Sequence, residues 1–363
     1  MIKPCRRIEQ IAKSVLALYG CIEIKVLMPK TILEVINLKK HFTHRKGLFS
    51  SFRNRQQSIP AVDGVSFYLK ENETVGLVGE SGCGKTTVGR TILRLEKPTS
   101  GKVIFDGKDI TSLPADELTL LRGQMQMIFQ DLDAALNPKM RIRNILSEAI
   151  TVHHKIGGAQ VDRRISDLLE QVSLKKSKLS NFPHELSGGE KRRVGLARVL
   201  SVGAKFIVAD EPTSALDVSI QAQVVNLLQD LQKRLGLSYL FISHDLRVVE
   251  LISHKVAVMY LGKIVEIGLS GRIANKAMHP YTHILWSSPV EKQNIETAQK
   301  ARSIQAGRWG VFDFERPTSG CRFAPRCPVY ESKGKPALCT DPATEPQLKD
   351  IGGAHQVACH FPL

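Results

Sequence analysis

Residues 79–86 read GESGCGKT, in the pattern G-x-x-x-x-G-K-[ST]. A glycine-rich turn of this kind lets backbone N–H groups wrap a phosphate, and a helix opening from it adds partial positive charge. Lys85 is placed to reach the β- and γ-phosphates of a nucleotide, and the Thr86 hydroxyl to ligate Mg²⁺. Gly79, Glu80, Ser81, Gly82, Cys83, Gly84 and Thr87 complete the cradle. Cys83, beside Lys85 at a helix N-terminus, predicts a lowered thiol pKa and ready alkylation without nucleotide. A second constellation is FIVADE at 206–211, an apolar run ending in two acids. Asp210 can hold Mg²⁺ through water, and Glu211 can orient and activate an attacking water. Paired acids are common in loops, but combined with the glycine-rich turn they describe a nucleotide-hydrolysing site. ELSGGE at 185–190 supplies another serine- and glycine-opened helix start that can bind an anion.

A third group is the cysteines. Seven stand at 5, 21, 83, 321, 327, 339 and 359, too few for a secreted disulfide scaffold. The last four are spaced C-x(5)-C-x(11)-C-x(19)-C. In the reducing compartment where ATP is hydrolysed persistent disulfides are rare, so a metal site gains weight. Four thiolates suit tetrahedral zinc or an iron–sulfur cluster, and spacing does not decide between them.

The elements that must position these residues follow from periodicity. TILEVINL (31–38), VDGVSFYL (62–69) and ETVGLVG (73–79) read as strands, and KVIFDGKDI (102–110) as a hairpin about its DG turn. Helical spacing runs from Ile142 to Leu174 and from Lys191 to Leu200. KFIVAD (205–210) and SYLFIS (238–243) read as buried strands either side of the helix-like IQAQVVNLLQDLQKRLG. Strands alternating with helices predict an α/β fold with a largely parallel sheet covered on both faces. After about Ala274 the sequence turns proline-, cysteine- and turn-rich, which marks a boundary. Residues 1–27 differ from the rest, with Ile8, Ile11, Ala12, Val15, Leu16 and Tyr19 at helical spacing. They form an amphipathic helix, or Met28 is the true start.

Composition sets outer limits. The 363 residues are 42% hydrophobic and 24% charged, which argues against wholesale disorder. No apolar run approaches the ~20 residues that cross a bilayer. The net charge is +16, and residues 1–60 carry 12 Lys and Arg against 3 Asp and Glu, or +9 of it. Lys39 to Arg55 contains no acid, which fits either an anionic partner or a solvated basic loop.

With these motifs in order, the chain resembles the ATP-binding subunits of ABC transporters over roughly residues 31–363. LSGGE at 186–190 is similar to their signature, Gln130 in MIFQD to the Q-loop, SALD at 214–217 to the D-loop with Asp217, and His244 in ISHD to the switch histidine. Phe42 stands where the family places an aromatic against adenine, with a buried core phenylalanine as the competing reading. The resemblance implies a P-loop NTPase cassette: a mixed sheet with a RecA-like core, an antiparallel β subdomain and a helical subdomain. It implies head-to-tail pairing, so that Ser187, Gly188, Gly189 and Glu190 meet a partner cassette's nucleotide. Glu211 is then the general base, with His244, Gln130 and Lys85 as the other catalytic groups; Thr86, Asp210 and Gln130 surround Mg²⁺.

LNPKM (136–140), YLFISHDL (239–246) and HPYTHIL (279–285) resemble the oligopeptide/dipeptide importer ATPases; QDLDAALNP (130–138) departs from that branch. The same branch implies a small C-terminal domain in which Cys321, Cys327, Cys339 and Cys359 hold a 4Fe–4S cluster, with zinc as the alternative. The implied divisions are 1–30 as an extension, 31–274 as the nucleotide-binding domain (helical subdomain about 131–200) and 275–363 as the C-terminal domain. Implied partners are two transmembrane permease subunits, a second ATPase subunit and, indirectly, an extracytoplasmic peptide-binding protein, at the cytoplasmic face of the inner membrane. A superfamily ATPase acting on nucleic acid or ribosomes is the competing reading. It is disfavoured by a single P-loop and no long coiled-coil insertion, so no nucleic-acid partner is expected.

Overall fold

Two sheets organise the molecule, and their sequences explain which is buried. The strands are β1 (Thr31–His44), β2 (Gln57–Lys70), β3 (Thr74–Val78), β4 (Ser100–Phe105), β5 (Lys108–Asp109) and β6 (Met125–Ile128). They continue as β7 (Phe206–Asp210), β8 (Ser238–Ile242), β9 (Lys255–Tyr260), β10 (Lys263–Leu269), β11 (Lys349–Asp350) and β12 (Gln356–Val357). The larger sheet has the order β11-β12-β10-β9-β3-β8-β7-β6. From β9 to β6 its pairs are parallel, and β3, β7 and β8 are buried at every residue, as continuous apolar runs require when both faces are covered. The smaller antiparallel sheet has the order β2-β1-β4-β5. Pro60 is tolerated in β2 because that strand is an edge.

This computed structural model describes residues 30–44, 57–130, 136–154, 156–214, 216–287 and 320–363. The proposed helix within 8–19, most of the basic run after His44 and the Asp131–Ala135 part of QDLDAALNP lie outside them. Thr31–Leu363 forms one compact unit. Among the described residues no helix is long and apolar enough to cross a membrane.

The structure refines several expected elements. β1 and β2 run beyond their apolar cores, because pairs such as Phe42↔Ile59 satisfy each other's backbone where burial gives no signal. The helical stretch from Ile142 is two helices, Ile142–His153 and Gly158–Gln171, parted at Gly157-Gly158. They pack against Gly188–Ser201 through Ile142, Ile145, Leu146 and Ile150, then Val161, Ile165, Leu168 and Leu169, each set at helical spacing. Gly188–Ser201 begins three residues earlier than its apolar pattern. Ser187 caps it: its Oγ accepts from the Glu190 N–H, while the Glu190 carboxylate accepts from the Ser187 N–H at 3.0 Å.

Residues 320–363 fold as short 3₁₀ turns, the helix Pro328–Ser332 and strands β11 and β12. β12 extends the large sheet beside β10, with Glu266 opposite Val357. At that junction buried Glu266 accepts from the N–H groups of Met278 and His279 at 2.8 and 2.9 Å, and lies 2.6 Å from His355 Nε2. The same carboxylate therefore anchors both the start of helix Pro280–Ser287 and the returning C-terminal strand.

Candidate functional site

The glycine-rich loop links the end of β3 to the helix Lys85–Ile92. Gly84 has φ +112° and Gly79 +151°, and a Cβ on them would fall 2.2 Å from the Ala61 carbonyl oxygen and 2.1 Å from that of Met259. The loop lies against β2 and β9 too tightly for any side chain there. Lys85 is buried and donates to the carbonyls of Gly79 at 2.8 Å and Glu80 at 2.9 Å. Its ammonium is thus folded back over the concavity where phosphate oxygens would sit. Ser81 and Gly82 are exposed along that rim, and Thr87 is half-buried at the start of the helix.

Cys83 corrects an expectation. Burial pushes its thiol pKa up, and the nearby Lys85 ammonium does not overcome this. Lys85 donates to two carbonyls and also, at 3.8 Å, to the sulfur, which offsets the burial only in part. Cys83 is therefore a buried packing residue whose thiol pKa is raised where a lowered one was expected.

The acids lie where β7 ends. Asp210 is buried and accepts from the Thr86 hydroxyl at 3.1 Å. Burial raises its carboxyl pKa, with Glu211 adding to the rise. A buried carboxylate with a hydroxyl beside it and too little compensating charge fits a divalent cation held by Thr86 and Asp210. Glu211 has φ +48°, a left-handed conformation that costs a non-glycine residue about 1–3 kcal/mol. Its N–H donates to Ile242, while the Ser214 hydroxyl and Arg192 donate to its carbonyl at 2.9 and 3.4 Å. Its carboxylate meets His244 Nδ1 at 3.2 Å and Gln130 Nε2 at 3.4 Å. The structure therefore brings Gln130 after β6, Asp210 and Glu211 at the end of β7, His244 after β8 and Thr86 of helix Lys85–Ile92 to one place from four separate elements.

Other expected residues lie apart from this cluster. Ser187 and Glu190 bond to each other, and Glu190 pairs with Lys178 at 3.0 Å; Ser187 and Gly188 are exposed. Hydrogen bonding from Ser187 holds the Glu190 carboxyl below the usual range. Asp217 is exposed ahead of helix Val218–Leu235. Phe42 is 39% exposed, with Lys40 Nζ 4.8 Å from its ring centre, which fits a stacking surface better than a core position.

Sequence reasoning missed Arg192, which is buried and donates to the carbonyls of Glu211 and Ser214. Its signal was present as the first arginine of EKRR, but its target lies 19 residues on. It also missed Arg326 and Tyr281, whose contacts cross the chain to Glu80.

The four late thiols border one cavity, together with His279, Pro280, Phe323 and His360. Burial pushes the thiol pKa of Cys321 up to about 11 and of Cys359 up to about 12, and the neighbouring thiols add to this. His360 Nε2 is buried there without a hydrogen-bond partner. Soft donors around a common space fit a soft metal in kind. Among the described residues, however, no three His, Cys, Asp or Glu side chains already converge as a metal cage.

Fold and site together define a nucleotide-binding cassette of the P-loop class. The ABC transporter family profile matches residues 62–214, and that of the oligopeptide/dipeptide transporter C-terminal region matches residues 265–333. The chain is 44% identical over 333 residues to the oligopeptide transport ATP-binding protein AppF of Bacillus subtilis, covering 92% of this chain and 98% of that one. It is 43% identical over 332 residues to OppF of Salmonella typhimurium, of the same description, covering 91% and 96%. Among solved structures, the dimeric ATP-binding cassette MJ0796 in a post-hydrolysis state with ADP and Pi has a TM-score of 0.58 and 27% identity, covering 66% of this chain and 98% of that one. The chain belongs to the oligopeptide transport ATP-binding proteins, the ATPase subunits of ABC-type peptide importers.

Proposed function

We propose that this chain hydrolyses ATP at the cluster around Glu211 to energise peptide uptake through separate membrane subunits. The observation that carries the reading is Glu211, strained and aimed by His244 and Gln130, beside the Thr86–Asp210 pair. Lys85 releases the Gly79 and Glu80 carbonyls and turns its ammonium onto the β- and γ-phosphates. Thr86 and Asp210, with Gln130 alongside, would hold Mg²⁺, which would supply charge neutralisation on the phosphates. Glu211 takes the proton of the attacking water, and His244 and Gln130 fix its carboxylate for that transfer. Phe42 stacks on the adenine ring. The remaining cradle residues, Gly79 to Thr87, supply N–H groups and the close approach described above.

Ser187, Gly188 and Gly189 open their helix to solvent, so they serve a nucleotide on a second cassette, this chain or a paralogue, with Asp217 and Glu190 at the same joint. The dimeric state of the similar cassette MJ0796 supports this pairing. The names of AppF and OppF support peptide as the cargo, and hence two permease subunits, an extracytoplasmic peptide-binding protein and a place at the cytoplasmic face of the inner membrane. We divide the chain as an extension to residue 30, a nucleotide-binding domain at 31–274 with its helical subdomain at about 131–200, and a small Cys-rich domain at 275–363. In that last domain Cys321, Cys327, Cys339 and Cys359 would hold a 4Fe–4S cluster, with zinc as the alternative occupant. Their common cavity supports this.

The test is uptake of radiolabelled oligopeptides by cells lacking this chain, together with phosphate release by the purified transporter. Loss of both, restored by the intact chain, is the expected result. Unimpaired peptide uptake would remove the cargo assignment, and no nucleotide-dependent phosphate release would remove the ATPase role.

A further inference from the structure

Glu80, the second residue of the phosphate loop, is held at every polar group it has. Its carbonyl accepts from Lys85 Nζ at 2.9 Å and from the Cys83 N–H at 3.3 Å. Its N–H donates to the Tyr281 hydroxyl at 3.0 Å. Its carboxylate receives both Arg326 guanidinium nitrogens, each at 2.8 Å. Lys85 must leave the Glu80 carbonyl to reach a phosphate. The ties to Glu80 from outside the loop are then Tyr281 and Arg326, 201 and 246 positions away in sequence.

Both are rigidly presented. Tyr281 is buried in the helix Pro280–Ser287, whose start is fixed by the Glu266 carboxylate. Its ring packs at 4.7 Å from that of Tyr260 and 5.3 Å from that of Phe323. Arg326 lies over the same Tyr260 and Phe323 rings, at 5.8 and 6.0 Å, and also donates to the Tyr260 hydroxyl. A bidentate guanidinium–carboxylate pair constrains orientation as well as charge. It also neutralises an acid that would otherwise stand uncompensated in the loop meant to receive a triphosphate.

We propose that Tyr281 and Arg326 are positioning residues for the phosphate loop, fixing the Glu80 backbone and cancelling its charge so that the C-terminal region sets nucleotide affinity. The proposal rests on the ATP-hydrolysing reading above. It also assigns a task to His-Pro-Tyr at 279–281: His279 and Pro280 face the thiol cavity while Tyr281 touches the phosphate loop.

The test is equilibrium binding of a fluorescent ATP analogue with Mg²⁺ to the full chain, with kcat and KM for ATP measured on the assembled transporter. Tyr281→Phe leaves the Glu80 N–H without its acceptor and should weaken binding roughly fivefold. Arg326→Ala should weaken it about two- to fivefold at low salt and less at high salt, as a half-exposed ion pair requires. Adding Glu80→Gln to Arg326→Ala should recover most of the loss, because the unpaired charge is gone. For the two single variants, Tyr281→Phe and Arg326→Ala, KM rises, kcat at saturation holds, and the melting temperature stays close to that of the unaltered chain. Unchanged affinity in Tyr281→Phe and Arg326→Ala, or no recovery on adding Glu80→Gln, overturns the proposal while leaving the ATPase reading intact. Failure of the unaltered chain to bind the analogue overturns both.

Discussion

The nucleotide cradle and the thiol cavity are both clusters of reactive side chains, but they are prepared for their ligands in opposite ways. In the cradle each charged group already has a partner. Lys85 bonds to its own loop, Thr86 to Asp210, and Glu211 to His244 and Gln130. These internal bonds hold the geometry, and on the proposed mechanism they would be exchanged for bonds to substrate. In the thiol cavity burial raises the thiol pKa of Cys321, Cys339 and Cys359, and His360 Nε2 has no hydrogen-bond partner. That site is gathered but not closed, and on the proposed reading an occupant would complete it. A site that turns over must survive empty, whereas a site that keeps its occupant need not.

The sharpest way to break this contrast is to remove one thiol. Cys327→Ser should abolish stoichiometric iron and the visible absorbance of the anaerobically purified protein. Loss of an integral occupant should also lower the melting temperature, read by calorimetry. A colourless unaltered protein holding one zinc would replace the cluster with zinc, and the contrast would still stand. A chain without metal whose melting temperature is indifferent to Cys327→Ser would end it.

A second test concerns what ties the two regions together. Asp63 on β2 receives Arg322, the neighbour of Cys321, and lies 3.5 Å from Lys39 and 3.7 Å from Lys263. Burial draws its pKa up, but Lys263 and Arg322 outweigh this and hold it below the usual aspartate range. Its stabilising effect is present above the unfolded value of about 3.9 and is lost as pH falls through the lower folded value. Asp63→Asn should cost roughly 1–3 kcal/mol at neutral pH. The gap in denaturation midpoint should close below about pH 4, and a gap independent of pH would contradict the ion-pair account.

The smallest effect is expected at the cradle's edge. Phe42→Ala should weaken ATP binding by about 0.5–1.5 kcal/mol and leave kcat alone. GTP and ATP should then be discriminated no worse than before, since an exposed ring stacks without reading base edges. An unchanged dissociation constant would return Phe42 to the fold.

Much of the cradle was legible because its chemistry is local in sequence. GESGCGKT and the capped SGGE each carry loop, charge and helix start within eight residues, and FIVADE joins a buried strand to two acids. Gln130 and His244 were readable only through family resemblance, since nothing in their neighbourhood announces that they meet at Glu211. Cys83 was misjudged because burial is a tertiary property. It outweighs the adjacent lysine, which is occupied by backbone carbonyls. The grip of Tyr281 and Arg326 on Glu80 had no local signal at all, because partners more than 200 positions apart are chosen by the fold. The strands were found where they are buried and underestimated where β1 and β2 are held mainly by each other.

The most direct measurement is ATP turnover by the assembled transporter carrying Glu211→Gln in this chain, alongside equilibrium binding of MgATP. Amide for carboxylate removes the proton acceptor while keeping the contacts to His244 and Gln130. Turnover at this site should fall by ~10²–10⁴ with nucleotide affinity retained. Turnover equal to that of the unaltered chain would contradict the assignment of Glu211 as the base, and with it the account of this site.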